Sequence, residues 1–134
     1  ALLEVTKLNQ KPRLTSEDLA FMLAPRLNAA GRLGQAQLGV ELLITDDAQR
    51  AKSLAEYIHQ LNSSRDSLER SILLAANKQA KEHFDPHHDA ALVLAERGWN
   101  AGVIGIVAGR GPAYPDLTRI RARPADQVVF IAGE

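Results

Sequence analysis

A chain of 134 residues with 46% apolar and 24% charged side chains has room for one core of ordinary size and lacks the composition of a disordered segment. Sixteen Lys and Arg balance sixteen Asp and Glu, so the chain as a whole is no polycation, and the absence of Cys excludes disulfides, thiolate metal sites and a cysteine nucleophile. No apolar run approaches the roughly 18 residues of a membrane span, and the first residues lack the basic and apolar regions of a secretory signal. No initiator Met opens the chain, and the pattern starts midway. The expectation is a soluble, cytoplasmic piece of something longer, with no membrane partner.

Alanine is abundant (21 residues) and aromatics scarce (6), which favours closely packed helices over a β-sandwich. Thr15-Ser16-Glu17-Asp18 reads as a helix start, with a hydroxyl N-cap and acids in the first turn. Leu19, Met22 and Leu23 give that helix an apolar face, and Pro25 is expected to stop it. Residues 25–34 then read as a compact connector and 35–45 as a second short helix carrying Leu38, Leu42 and Leu43. From Ala48 to about Phe84 the apolar positions keep helical spacing with no Pro or Gly between them. Such a helix is roughly 55 Å long, more than a small domain's diameter, and is expected to bridge two lobes. Ala90–Ala95 reads as a buried strand, Gly98 as a turn and Val103–Ala108 as the start of a helix, together half of a βαβ unit. Val128–Ala132 reads as another strand. The fold class expected is α/β, helix-dominated, with a long bridging helix over about 47–84 and a partial sheet at the C-terminal end.

Charge is uneven along this neutral chain. Five arginines (97, 110, 119, 121 and 123) face one acid, Asp116, in the span 97–123, which fits either a phosphate-reading surface or a solvated loop. In Ala24–Leu33, Arg26, Asn28 and Arg32 stand among small residues that permit close backbone approach, and guanidinium forks match phosphate oxygens. The alternative is a linker whose arginines pair with Asp46 or Asp47. Trp99–Arg110 places Asn100 and two glycines before a helix, a weak anion-site signal with packing as the plain alternative. Asn62, Arg65 and Glu69 lie at i, i+3 and i+7 beside the apolar stripe of the long helix, either as a polar seam between lobes or as register and surface residues. His87-His88-Asp89 has ligand chemistry, but adjacent loop residues rarely converge on one ion, and no metal or catalytic residue is assigned.

Four stretches taken together carry a resemblance: FMLAPRLNAAGRL (21–33), LLITDD (42–47), LNSSRDSLE (61–69) and GWNAGVIGIVAGR (98–110). In order and spacing they resemble the RecJ family, single-stranded-DNA-specific 5′→3′ exonucleases of the DHH phosphoesterase superfamily, over residues 14–110. The resemblance implies that residues 1–46 end a DHH domain, 47–84 form its connecting helix, and 85–134 begin a DHHA1-like domain that diverges after 110. It also implies a parent enzyme using Mn²⁺ or Mg²⁺ on single-stranded DNA, with DNA-repair proteins as partners. Arg26, Asn28, Arg32, Asn100 and Arg110 would be phosphate contacts and Asn62, Arg65 and Glu69 an interdomain seam.

The family's metal-binding aspartates and its Asp-His-His motif are absent here, so the chain alone is expected to be inactive. Asn100 stands where the family usually has His, and Gly109 replaces a small, often hydroxyl-bearing residue. Gly111-Pro112 breaks a helix that ordinarily continues, as a divergent insertion or an altered reading frame would. Two rival readings are a DHH phosphoesterase acting on short oligonucleotides or cyclic dinucleotides, and a non-catalytic nucleic-acid-binding scaffold.

Overall fold

The computed structural model describes residues 1–85, 91–110, 117–118 and 128–133, and these form two compact units, Ala1–Asp66 and Ser67–Glu134. His87-His88-Asp89 and most of the arginine-rich 111–127 stretch lie outside the described residues.

The first unit opens with a short helix α1 (Leu2–Val5) and a 3-10 turn (Leu8–Gln10), neither anticipated from sequence. At α2 (Ser16–Asp18) the expected cap is present as a reciprocal box. Thr15 Oγ1 accepts from the Asp18 backbone N–H at 3.3 Å, and Asp18 Oδ2 accepts from the Thr15 backbone N–H at 3.0 Å. Lys11 Nζ closes on Asp18 Oδ1 at 2.6 Å. That ammonium, then the Thr15 N–H, holds the Asp18 carboxyl below its ordinary value against the opposing effect of burial.

Pro25 does not end a helix. A π-helical turn (Leu19–Leu23) passes directly into α3 (Ala24–Arg32), with Pro25 in its first turn. Proline has no N–H to donate and its ring crowds the carbonyl four residues back. The wider π turn, in which Ala24 N–H reaches Leu19 O, makes that room, and at the start of α3 the missing donor costs little. The expected connector 25–34 is therefore mostly helix, and the chain turns only at Gly34, where φ is +76°. Helix α4 (Ala36–Ile44) follows within a residue of expectation. Asp47 then caps the long helix, its Oδ1 accepting from the N–H groups of Gln49 at 2.8 Å and Arg50 at 3.1 Å.

Helix α5 runs without interruption over Ala48–His83. In the first unit its Ile58 and Leu61 pack on Ala30 of α3, with Leu33, Leu38 and Leu42 around them. In the second unit its buried residues are Glu69, Ile72, Ala76 and Ala80.

The second unit also contains β1 (Ala91–Ala95), a turn at Gly98 (φ +89°), α6 (Ala101–Arg110), β2 (Leu117–Thr118) and β3 (Val128–Gly133). Leu92 and Leu94 are buried while Val93 is exposed, the alternation of a half-buried strand. The sheet order is β1-β3-β2 and both pairings are antiparallel, with Ala91 opposite Ala132 and Ala95 opposite Val128. The strand–turn–helix unit is present, but the strand that joins β1 runs against it. Both outer strands run antiparallel to β3 and so parallel to each other, and α6 lies between them in the chain. β1, α6 and β2 thus form the expected βαβ crossover, with β3 inserted between its two strands.

Between Leu61 and Glu69, no α5 side chain at 62–68 is buried. Because packing of an apolar face supplies most helix stability in proteins, amide exchange should be fastest at 62–68 and slower around Ile58 and Ile72. Uniform protection along α5, measured by hydrogen–deuterium exchange, would contradict this account.

Candidate functional site

Three residues expected to face phosphate lie on α3, and its helical phase separates them. At about 100° per residue, Asn28 and Arg32 fall one turn apart on one side, whereas Arg26 shares the opposite side with Ala30 and Leu33. The burial agrees: Ala29 and Ala30 are fully buried, Arg26 is half-buried, and Asn28 and Arg32 are exposed. Placing all three in one tight turn is therefore corrected by the helix that Pro25 starts.

Arg26 points at α5. Its Nε donates to His59 Nδ1 at 3.2 Å, and its Nη1 donates to the Met22 carbonyl in the π-helical turn. Partial burial draws the Arg26 guanidinium below its ordinary value while Asp66 pushes it back up, and an arginine stays charged throughout. Pairing with Asp46 or Asp47 is not what is found: Asp47 is occupied by the α5 cap. The bracing role expected as an alternative is present with other partners.

Of the polar seam on α5, Asn62 and Arg65 join a local network. Arg65 Nη2 donates to Asn62 Oδ1 at 3.3 Å and to Asp66 Oδ1, and Asn62 Nδ2 donates to Asp66 Oδ2 at 3.4 Å. Glu69 is engaged elsewhere. Its buried carboxylate accepts from Nη1 of Arg110, at the end of α6. Two residues that sequence reading assigned to different roles are thus one ion pair in the second unit. Asn100 caps α6: its Oδ1 accepts from Gly102 N–H at 2.9 Å, and its carbonyl accepts from Val103 and Ile104. That first turn is bound by the protein's own acceptors. Arg32 and Arg110 each occupy the last turn of a helix, where a cation also complements the dipole.

His59 and Asp66 were missed from sequence. With Asn62 they repeat at i, i+3 and i+7 on α5, the same spacing that drew attention to Asn62, Arg65 and Glu69. Among the described residues no group of three or more His, Asp or Glu side chains could hold a metal ion, and no helix is long and apolar enough to cross a membrane.

No protein-family profile matches the chain. Individual proteins do. It is 44% identical over 93 residues to the single-stranded-DNA-specific exonuclease RecJ of Thermus thermophilus, covering 69% of this chain and 13% of that protein. It is 39% identical over 112 residues to RecJ of Haemophilus influenzae, covering 82% of this chain and 19% of that protein. The fold agrees over 99% of the chain with a crystal structure of exonuclease RecJ bound to manganese, at a TM-score of 0.69, 29% identity and 40% of that structure. Thermus thermophilus RecJ in complex with Mg²⁺ gives a TM-score of 0.67 at 28% identity over 26% of its length. The chain therefore spans no more than 19% of these two curated relatives, and its sequence and fold are those of a RecJ segment.

The Arg26 contacts give a stability test independent of any ligand. Arg26→Ala removes a donor to His59 and a donor to the Met22 carbonyl, and should destabilise the first unit by about 1–2 kcal/mol. Arg26→Lys keeps the charge beside Asp66 but not the fork, and should recover only part of the loss. An unchanged melting midpoint for Arg26→Ala would remove the brace.

Proposed function

We propose that this chain, matching RecJ in sequence and fold, is the strand-holding part of a metal-dependent single-stranded-DNA exonuclease that hydrolyses phosphodiester bonds from the 5′ end. In this reading residues 1–46 close the DHH domain, 47–84 are the connecting helix and 85–134 begin a DHHA1-like domain. DNA repair and recombination are the processes it serves, in the cytoplasm. The observation that carries the reading is that APRLNAAGR forms a helix presenting Asn28 and Arg32 outward from a buried alanine face. On that face a guanidinium and an amide one turn apart can take adjacent oxygens of a sugar–phosphate backbone without reading bases. Arg110 adds a second exposed guanidinium on α6, and Asn100 acts there chiefly as the helix cap.

Mn²⁺ or Mg²⁺, seen with the RecJ structures, would supply water activation and charge stabilisation in the whole enzyme. The described residues do not fit such a centre, since none cluster as ligands. No chemical step is therefore assigned to this chain. Its residues bind and orient the strand.

Two outcomes follow. The 134-residue chain should bind fluorescein-labelled oligodeoxythymidine and oligodeoxyadenosine about equally and release no nucleotides with Mn²⁺ or Mg²⁺ present. Arg32→Ala should weaken both affinities alike and reduce the log–log salt slope by about 0.7, the share of one single-strand phosphate contact. Anisotropy titrations across salt concentrations measure this, and failure of the unaltered chain to bind either oligonucleotide would overturn the reading.

A further inference from the structure

The Glu69–Arg110 pair is lopsided. The Glu69 side chain is 7% exposed, whereas that of Arg110 is 66% exposed. The carboxylate belongs to the buried side of α5, in line with Ile72, Ala76 and Ala80, and α6 is fixed beneath Arg110 by buried Val103, Ile104 and Val107. Only one guanidinium nitrogen, Nη1, is used by Glu69, and Nε and Nη2 have no hydrogen bond among the described residues. Beside it, exposed Gly109 presents no side chain, and a Cβ built there would meet nothing within 4 Å. A solvated arginine at a helix end ordinarily samples many rotamers. This one is anchored at one corner by a buried acid, while most of its side chain stays exposed.

We infer that Glu69 is a positioning residue: it orients Arg110 so that the free edge of the guanidinium meets a phosphodiester oxygen of a bound single strand. The inference rests on the proposed reading of Arg110 as a strand contact, and adds a requirement that charge alone does not. By Coulomb's law, an acid next to a phosphate contact weakens it, so removing the acid should tighten binding. If orientation dominates, removing it should loosen binding despite the gain of one positive charge. The two accounts differ in sign.

The test uses the whole 134-residue chain with fluorescein-labelled oligodeoxythymidine as probe. Arg110→Ala should weaken binding about two- to tenfold, the range of one net hydrogen bond. Glu69→Gln should weaken it to a comparable degree, and in the Arg110→Ala background should add nothing further. Arg110→Lys keeps a cation for Glu69 but not the fork, and should bind little better than Arg110→Ala. It also serves as a second probe should Glu69→Gln fail to fold, as circular dichroism melting would reveal. Tighter or unchanged binding by Glu69→Gln, with Arg110→Ala still weakened, would overturn the positioning role and leave the strand contact standing. An equal loss from Glu69→Gln in both backgrounds would overturn it in favour of a purely structural role. Arg110→Lys binding like the unaltered chain would overturn it too. Unchanged binding by Arg110→Ala would remove the strand contact and the inference together.

Discussion

The packing of Ala30 on α3 with Ile58 and Leu61 on α5 sets the geometry of the first unit. Ala30 and Ile58 are both fully buried in one apolar cluster with Leu61, so this side of α3 faces inward. Once that face is pressed inward, helical phase decides the rest. Arg26, one turn earlier on the same side, is carried towards His59 and Asp66, while Asn28 and Arg32 are carried outward. The opposite placement of residues at most six positions apart is thus a consequence of where two alanines pack.

Pro25 explains why this was only partly legible. In sequence a proline after an apolar run reads as a stop, and with a stop there the following ten residues have no helical phase to assign. The structure uses the other property of proline, its fitness for the first turn of a helix, and absorbs the steric conflict in a π turn. Features fixed by local chemistry were readable: the Thr15 cap, the turn at Gly98, and α5, whose apolar spacing no Pro or Gly interrupts. The Glu69–Arg110 pair was not, because 41 residues separate its members and only the packing of α6 brings them together. Both residues could be singled out individually. Their partnership could not.

The direction of β3 belongs to the same class of information. Apolar runs announce strands but neither their polarity nor their order in the sheet. β2, parallel to β1, closes the crossover that the strand–turn–helix unit opens, and β3 is inserted antiparallel between the two.

A chain of zero formal net charge can still present a basic surface if its acids lie deeper than its bases. The ion pairs show this arrangement twice. Lys11 and Arg110 extend outward from Asp18 and Glu69, both of which are buried. Arg65 and Asp66 are reversed, with the acid the more exposed partner, and this pair lies on α5 away from the outward face of α3. Burial of an acid beneath an exposed base does more than balance its charge: it leaves the base nearer to solvent, and so nearer to any phosphate, than the acid that neutralises it. A distant polyanion would meet a chain close to neutral, whereas a strand in contact would meet the outer member of each such pair. Short-range attraction without long-range steering fits the proposed phosphate contacts, because each is individually weak and none depends on base identity.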